Sequence, residues 1–446
     1  MNVGFISLGC SKNQVDTEIM MAAVKKAGHR IVNSLDHAQA VIVNTCGFIA
    51  GAKEEAIDTL LNLAERKEDK NFNYLIATGC LAQRYGKELQ KEIPELDGIV
   101  GIASFTSIDK VLTRISQGEK VYLVEPPSLV FCETGPRIVS TPPGSAYLKI
   151  SEGCNNRCSF CAIPLIRGPF RSKPPGEVIA EARAIVAQNH VKEITVIGQD
   201  TADYGRDLKI KNAMVEVLKG LCDIEGLEWI RLMYLHPAHI SDELIETVAT
   251  KRKVLPYLDI PIQHASNNIL QAMNRKHGLD RLNNIIAQCR TNIDNLVLRT
   301  TVMVGFPGET EADYKELYGF IKETRFDWLG VFAFSAEEDT PAEKMPNQVD
   351  DETKAIRREQ ILKLQNHITR EKNISRINNV ETVLVSNNLK SDLYVGRAYF
   401  QAPEVDGLTI IKSSSKLLPG QMVPVKYKAV RNYDLIGEFV NDKCSQ

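Results

Sequence analysis

Cys154, Cys158 and Cys161 stand with three and then two residues between them in the segment Ser151-Glu-Gly-Cys-Asn-Asn-Arg-Cys-Ser-Phe-Cys161. Thiolates are soft ligands that select zinc, copper(I) or iron-sulfur clusters. Closed zinc sites and ordinary 4Fe-4S clusters both take four protein ligands, and this segment offers three. A 4Fe-4S cluster held here would keep one iron open to a small molecule carrying an amino and a carboxylate group, as S-adenosylmethionine does. An electron passed into its sulfonium would cleave it to a 5'-deoxyadenosyl radical. That chemistry belongs to the cofactor, and the protein holds, orients and shields it. The spacing leaves two other readings open: a zinc knuckle with a remote fourth cysteine, and a cluster used only for electron transfer.

Three further cysteines, Cys10, Cys46 and Cys80, each end an apolar run: Val3-Gly-Phe-Ile-Ser-Leu-Gly-Cys10, Ala40-Val-Ile-Val-Asn-Thr-Cys46 and Tyr74-Leu-Ile-Ala-Thr-Gly-Cys80. The runs read as buried strands. Helical stretches over Thr17–Ala27 and Glu54–Glu68 separate them, so the alternation predicts a parallel sheet. Such a sheet brings the C-terminal ends of its strands to one crevice, where open α/β folds bind ligands. The three cysteines would then form a second cup; the alternative is that each is a small buried apolar residue.

Cofactor contacts are expected from two loops that follow strand-like runs. Gly198 and Gln199 lie in one, and Gly305, Pro307, Gly308 and Glu309 in the other. Glycine permits close backbone approach, and Phe160 can pack against an adenine. The second loop also reads as a plain Pro-Gly turn. No proton chemistry is assigned to His264. Tyr204, Arg206 and Arg231 are more at home in surface or ion-pair roles than as anchors for anions. Cys222 and Cys289 fall inside helical patterns as core, and Cys132 is incidental.

The elements that must position these residues exceed one domain. At 446 residues the chain is longer than a single core comfortably grows. We expect an α/β multidomain protein. An N-terminal doubly wound parallel α/β domain spans 1–124, and a Pro/Gly-rich connector 125–146. A central partial (β/α)6 barrel spans 147–375, and a small all-β barrel of the oligonucleotide-binding type spans 376–446. A charged amphipathic helix over 350–373 packs through Ile361, Leu364 and Ile368, with its charges solvated. The last unit carries none of the six patterned cysteines, which predicts that it is separable from the radical chemistry. Its nine Lys plus Arg against seven Asp plus Glu are too slight a balance to favour RNA. Net charge is -2, without the field of a general nucleic-acid binder. No apolar run approaches a membrane span and no basic signal region opens the chain, so a cytoplasmic protein is expected. In that compartment ten cysteines are metal ligands or buried thiols, not disulfides.

The loop around Cys154, with Tyr147-Leu-Lys-Ile-Ser before it and Ile163-Pro-Leu-Ile-Arg-Gly-Pro-Phe-Arg-Ser172 after it, resembles the radical S-adenosylmethionine (SAM) enzymes, and among them the methylthiotransferases. Ser7-Leu-Gly-Cys10-Ser-Lys-Asn13 and Asn44-Thr-Cys46-Gly-Phe48 resemble the branch that modifies a ribosomal protein. The likeness runs over nearly the whole chain. It implies two 4Fe-4S clusters, one on each cysteine trio, with SAM as radical source and methyl donor. The central unit is then a radical-SAM barrel and the last a TRAM domain, through which any RNA contact would run. The implied reaction is methylthiolation of the β-carbon of an aspartate in ribosomal protein S-twelve of the small subunit, with a cytoplasmic reductant and a sulfur donor as further partners. The alternatives are 2-methylthio modification of an adenosine in transfer RNA, and a non-enzymatic two-cluster electron carrier.

Overall fold

The computed structural model describes residues 1–69, 71–132 and 134–441. The first sheet contains β1 (Asn2–Ser7), β2 (Arg30–Val32), β3 (Ala40–Thr45), β4 (Tyr74–Gly79), β5 (Gly98–Val100) and β6 (Val121–Leu123). Its order is β2-β1-β3-β4-β5-β6, with every pair parallel. The order reverses between β1 and β3, which opens a crevice at the C-terminal strand ends. All six residues of β3 are buried, as in a strand covered on both faces. Sequence reading finds β1, β3 and β4. The other three have three residues each, too few to show a period.

The helix after β1 runs Ser11–Lys26, six residues earlier than Thr17, where the periodicity begins. Its first turns bury Ser11, Lys12, Asn13 and Asp16. Polar residues packed against a neighbouring domain hide the apolar rhythm by which a helix start is read.

The central unit follows with β7 (Ser145–Lys149), a two-stranded ribbon of β8 (Ser151–Glu152) and β9 (Arg171–Ser172), then β10 (Glu193–Ile197), β11 (Trp229–Leu232), β12 (Val254–Asp259), β13 (Val297–Val304) and β14 (Trp328–Ala333). The six main strands are ordered β14-β13-β12-β11-β10-β7 and are all parallel. That is the expected open (β/α)6 sheet, with β7 and β14 as its edges. The helix Asp351–Ile374 packs on it through Ile361 and Ile368. The sequence expectation that its charges are solvated fails at Arg357, which is buried against Glu309 at 2.6 Å. Gln365 and Thr369 donate to the carbonyls of Phe326 and Asp327.

The last unit is a closed barrel of β15 (Val380–Lys390), β16 (Leu393–Ala398), β17 (Thr409–Lys412), β18 (Met422–Arg431) and β19 (Asp434–Phe439), ordered β15-β16-β17-β19-β18. It docks against the central sheet at the end opposite the cysteine loops. Glu193, the first residue of β10, accepts from Arg231 at 2.8 Å and from Arg397 at 2.6 Å, and all three side chains are buried. Arg231 also donates to Tyr399 O, and Trp328 Nε1 to Phe400 O. One apolar cluster joins Phe105 of the first unit, Tyr147, Met233 and Tyr257 of the central sheet, and Val383, Phe400 and Tyr427 of the small barrel. Burial opposes ionisation of Glu193, but Arg397 and Arg231 outweigh it and hold the carboxyl down to about 2. Burial lifts Asp406, which accepts from Tyr257, to about 6.

The small barrel is therefore a plug in the central unit, and the separability expected from sequence does not follow. Arg397→Ala should remove one partner of a buried charge and lower the unfolding free energy by about 3–5 kcal/mol. Arg397→Lys should recover part of it. Denaturant unfolding of the full chain measures both, and an unchanged midpoint for the alanine variant would refute the docking role.

Candidate functional site

Cys10 caps the N-terminus of the helix Ser11–Lys26, and Cys80 is the first residue of the helix Cys80–Glu92. Cys46 follows β3 directly. The parallel topology thus delivers all three to one edge, as the alternation predicted. Gly9 and Gly79, each just before a cup cysteine, have φ of +89° and +93°. A Cβ on Gly9 would lie 2.7 Å from Cys46 Cβ, and one on Gly79 2.2 Å from Asn44 Oδ1, so only glycine lets the turns close this tightly. Asn13 ties the cup together from a fully buried position. Its Nδ2 donates to Leu8 O and Thr45 O, while its Oδ1 accepts from Cys80 Sγ at 3.5 Å.

Cys154, Cys158 and Cys161 lie in the loop that leaves β7 and is pinched by the β8–β9 ribbon. Later barrel loops fix it. Ser159 N donates to Met273 O, Asn274 Nδ2 to Arg157 O, and Asn156 Nδ2 to Asp200 Oδ2 at 2.7 Å. Arg275 Nη1 reaches Cys158 Sγ at 3.6 Å.

Both trios suit clusters better than a single ion. Thiolates about 2.3 Å from one zinc sit less than about 4 Å apart. Among the described residues, the group of three metal-competent side chains whose ligand atoms all lie within 4.8 Å of one another is Asp200, His236 and His239, so neither cysteine trio is gathered that tightly. Within each trio the sulfurs are nonetheless close enough to repel as thiolates. Burial pushes the Cys80 thiol up to about 12 while Arg167 pulls the other way, and burial also raises Cys46. Cys154 is likewise pushed up to about 12. Such thiols give up their protons when metal binds.

A buried ionic bridge joins the two cups. Lys149, at the end of β7, pairs with Asp16 and with Glu152 at 2.8 Å. Arg167 pairs with Glu152 at 2.6 Å and Asp16 at 3.1 Å, and also donates to Asn13 Oδ1 and to Cys80 Sγ at 3.5 Å. Gln199 Nε2 donates to Glu152 Oε1 at 2.7 Å. Burial alone would raise Glu152, but Arg167 and Lys149 hold its carboxyl far below the usual range. Two cations meet two anions out of water. Sequence reading does not single out Asn13, Asp16, Lys149, Glu152 and Arg167, because polar and charged residues near a motif are usually solvated. Their only signal was their position beside the cysteines.

Of the expected cofactor contacts, Gly198 and Gln199 lie on the rim beside this bridge. A Cβ on Gly198 would sit 2.5 Å from Ser151 Oγ, so packing within the protein already demands the glycine. Gln199 Oε1 is buried without a partner. Phe160 packs beside Met273, Phe306 and Phe334. Gly305 has φ +71° and abuts Lys354, and Gly308 has φ +83°. Pro307 is buried between them. The carboxylate of Glu309 is committed internally, to Arg357, to Gly305 N at 2.8 Å and to His264 Nε2 at 3.5 Å. His264 Nδ1 accepts from Ser266 N, in keeping with a structural histidine. Arg231 is the ion-pair residue described above, Arg206 pairs with Asp203 at the surface, and Tyr204 OH donates to Lys173 O. Asp200 and the two histidines are closed by internal bonds: His239 Nδ1 meets Asp200 Oδ2 at 2.7 Å, and Ala238 N donates to His236 Nδ1.

Residues 2–101 match the family described as Uncharacterized protein family UPF0004, residues 148–321 the Radical SAM superfamily, and residues 379–440 the TRAM domain. The protein named Ribosomal protein uS12 methylthiotransferase RimO from Syntrophomonas wolfei is 56% identical over 98% of this chain and 100% of its own length. The protein of the same name from Clostridioides difficile is 45% identical over 99% of each chain. Among solved structures, the radical S-adenosylmethionine methyltransferase TsrM from Kitasatospora setae superposes with a TM-score of 0.56 at 13% identity, over 76% of this chain and 74% of its own. That likeness is one of fold.

Arg167→Ala should leave Asp16 and Glu152 short of a cation in the buried bridge, at a cost of about 3–5 kcal/mol in unfolding free energy. Arg66→Ala, which breaks an exposed pair with Asp36, should cost less than about 1 kcal/mol. Parallel denaturant titrations compare them, and equal losses would contradict the bridge.

Proposed function

From the chain's membership of the family of ribosomal protein uS12 methylthiotransferases named RimO, we infer that it is a radical SAM methylthiotransferase acting on uS12. Relatives that align end to end with this chain select the ribosomal protein over transfer RNA, and an enzyme over an electron carrier. The observation that carries the assignment of parts is the reach of Arg167. It ends the short helix Ile163–Arg167 that follows the loop of Cys154, Cys158 and Cys161, yet touches Cys80 of the other cup, so the two cups address a common interior.

We assign Cys154, Cys158 and Cys161 to the cluster that binds SAM, and Cys10, Cys46 and Cys80 to the second cluster. When bound, the clusters and SAM supply the electron, the hydrogen-abstracting radical, the sulfur and the methyl group. The chain's own residues do the rest. Arg275 and Arg167 direct N–H groups at Cys158 and Cys80, an arrangement that tunes a cluster's potential. The bridge of Asp16, Lys149, Glu152 and Arg167 keeps water from the space behind the cups. Gly198, Gln199 and the Gly305–Glu309 loop border the place where the nucleoside and amino-acid portions of SAM would lie, with Phe160 at its side. The acceptor is the β-carbon of an aspartate in uS12. A cytoplasmic reductant and a sulfur donor complete the requirements, and RNA near the ribosomal substrate would meet the exposed Lys412, Lys416 and Lys428 of the small barrel.

Protein loaded without oxygen should hold about eight irons, and triple alanine replacement of either trio should halve that count. Stoichiometric zinc in its place would overturn the assignment. Incubation of the reduced protein with SAM and uS12 should add a methylthio mass to uS12 and none to transfer RNA.

The two cups should also fail differently. Loss of Cys154, Cys158 or Cys161 should abolish 5'-deoxyadenosine formation. Cys46→Ala should retain it and abolish sulfur insertion. Normal methylthio yield from Cys46→Ala would place the sulfur source elsewhere.

A further inference from the structure

Lys12 lies two residues beyond Cys10, in the first turn of the helix Ser11–Lys26, and only 7% of it is exposed. Its ammonium sits over the ring of Tyr234, 3.1 Å from the centroid. Among the described residues, no carboxylate lies within 4.0 Å of it. Asp16, one helical turn further on, is already bound by Lys149 and Arg167. A cation this far from water needs an anion or a dense set of acceptors, and a ring face supplies only part of that. Lys149 and Arg167 nearby are fully paired, so the missing partner at Lys12 is a local exception.

The platform beneath Lys12 is held in a costly conformation. Tyr234 lies just past the C-terminal end of β11, in the sheet that carries the Cys154 loop, and its φ is +63°, a region that bulky residues seldom occupy. Buried Asp259 accepts from Tyr234 N at 3.1 Å. Thr201, directly after the Gly198-Gln199-Asp200 turn, donates to Tyr234 O from its N at 3.0 Å. The same turn that borders the SAM site therefore aims the ring, and Lys12 rests on that ring from the side of the auxiliary cup. Lys12 thus reaches from the helix that begins beside Cys10 to the loops at the strand ends of the central sheet.

We propose that Lys12 is the substrate-binding residue that receives the side-chain carboxylate of the acceptor. The proposal rests on the reading of the acceptor as an aspartate of uS12. Its chemistry is direct: the reacting β-carbon is bonded to that carboxylate, so fixing the carboxylate on a positioned ammonium places the carbon between the cups. A neutral acceptor such as a purine gains nothing from this cation, so Lys12 is also a specificity determinant for an acidic side chain.

The test is a binding cycle with the cluster-loaded full chain, using uS12 and its variant in which the target aspartate is replaced by asparagine. Lys12→Met keeps the stem over Tyr234 and removes the charge, and Lys12→Arg keeps the charge. Iron content is measured for each. Loss of a charge-assisted hydrogen bond should raise Kd for uS12 about 10–100-fold in Lys12→Met, with Lys12→Arg close to wild type. The asparagine variant should bind wild type and Lys12→Met equally weakly. Equal weakening of both substrates by Lys12→Met, or unchanged binding of native uS12, would overturn the role of Lys12 while leaving the function standing. Wild-type protein that neither binds nor methylthiolates uS12 would overturn the functional reading, and this assignment with it.

Discussion

The architecture depends on one buried exchange of charge, in which Lys149 and Arg167 of the central unit meet Asp16 of the first unit and Glu152 of their own. All four side chains lie at 5% exposure or less. Charges taken out of water are tolerated only when paired and hydrogen-bonded in good geometry. The relative placement of the two units is thus specified by residues that could not stay buried without each other. Asn13 and Cys80 are drawn into the same set through Arg167. The bridge that docks the domains is therefore also what sets the distance between the two thiol cups.

The same device recurs at the other interfaces. Arg137, between β6 and β7, is buried against Glu18 of the first unit and Glu181 of the central one. Lys53 and Arg84 of the first unit share Glu337, just past β14. At the opposite end Arg397 meets Glu193, and Arg299 lies between Asp259 and Asp406. An apolar interface alone would tolerate sliding, whereas paired buried charges penalise it. The division of the reaction between the two cups proposed above depends on that rigidity. The three units behave as one scaffold whose interior is closed at one end by the small barrel and at the other by the cysteine loops.

Two of the loop glycines have a structural cause of their own. At Gly198 and Gly305 a backbone without a side chain would let a cofactor approach. Their own packing, on Ser151 Oγ and on the stem of Lys354, already excludes a Cβ. The carboxylate of Glu309, in the same loop as Gly305, is committed to Arg357 and Gly305 N. It braces the loop from behind, through the helix that leads to the small barrel.

By itself the sequence determined the elements with a strong local signature. The two cysteine trios, the strands that end at them, the six-strand central sheet and the five-stranded last barrel could all be read from spacing, apolar runs and turn residues. Cysteine spacing is informative because metal ligation restricts it, and long apolar strands because their period is visible within a few residues. The short strands β2, β5 and β6 and the true start of the helix at Ser11 could not be read, since neither carries a period of its own. What only the tertiary structure decided was which charged residues are buried. Asp16, Lys149, Glu152, Arg167, Arg397 and Lys12 look like ordinary solvated side chains along the chain. A charge acquires meaning when folding sets a partner that offsets its desolvation, or none, beside it, and for Asp16 and Arg397 that partner comes from more than a hundred residues away.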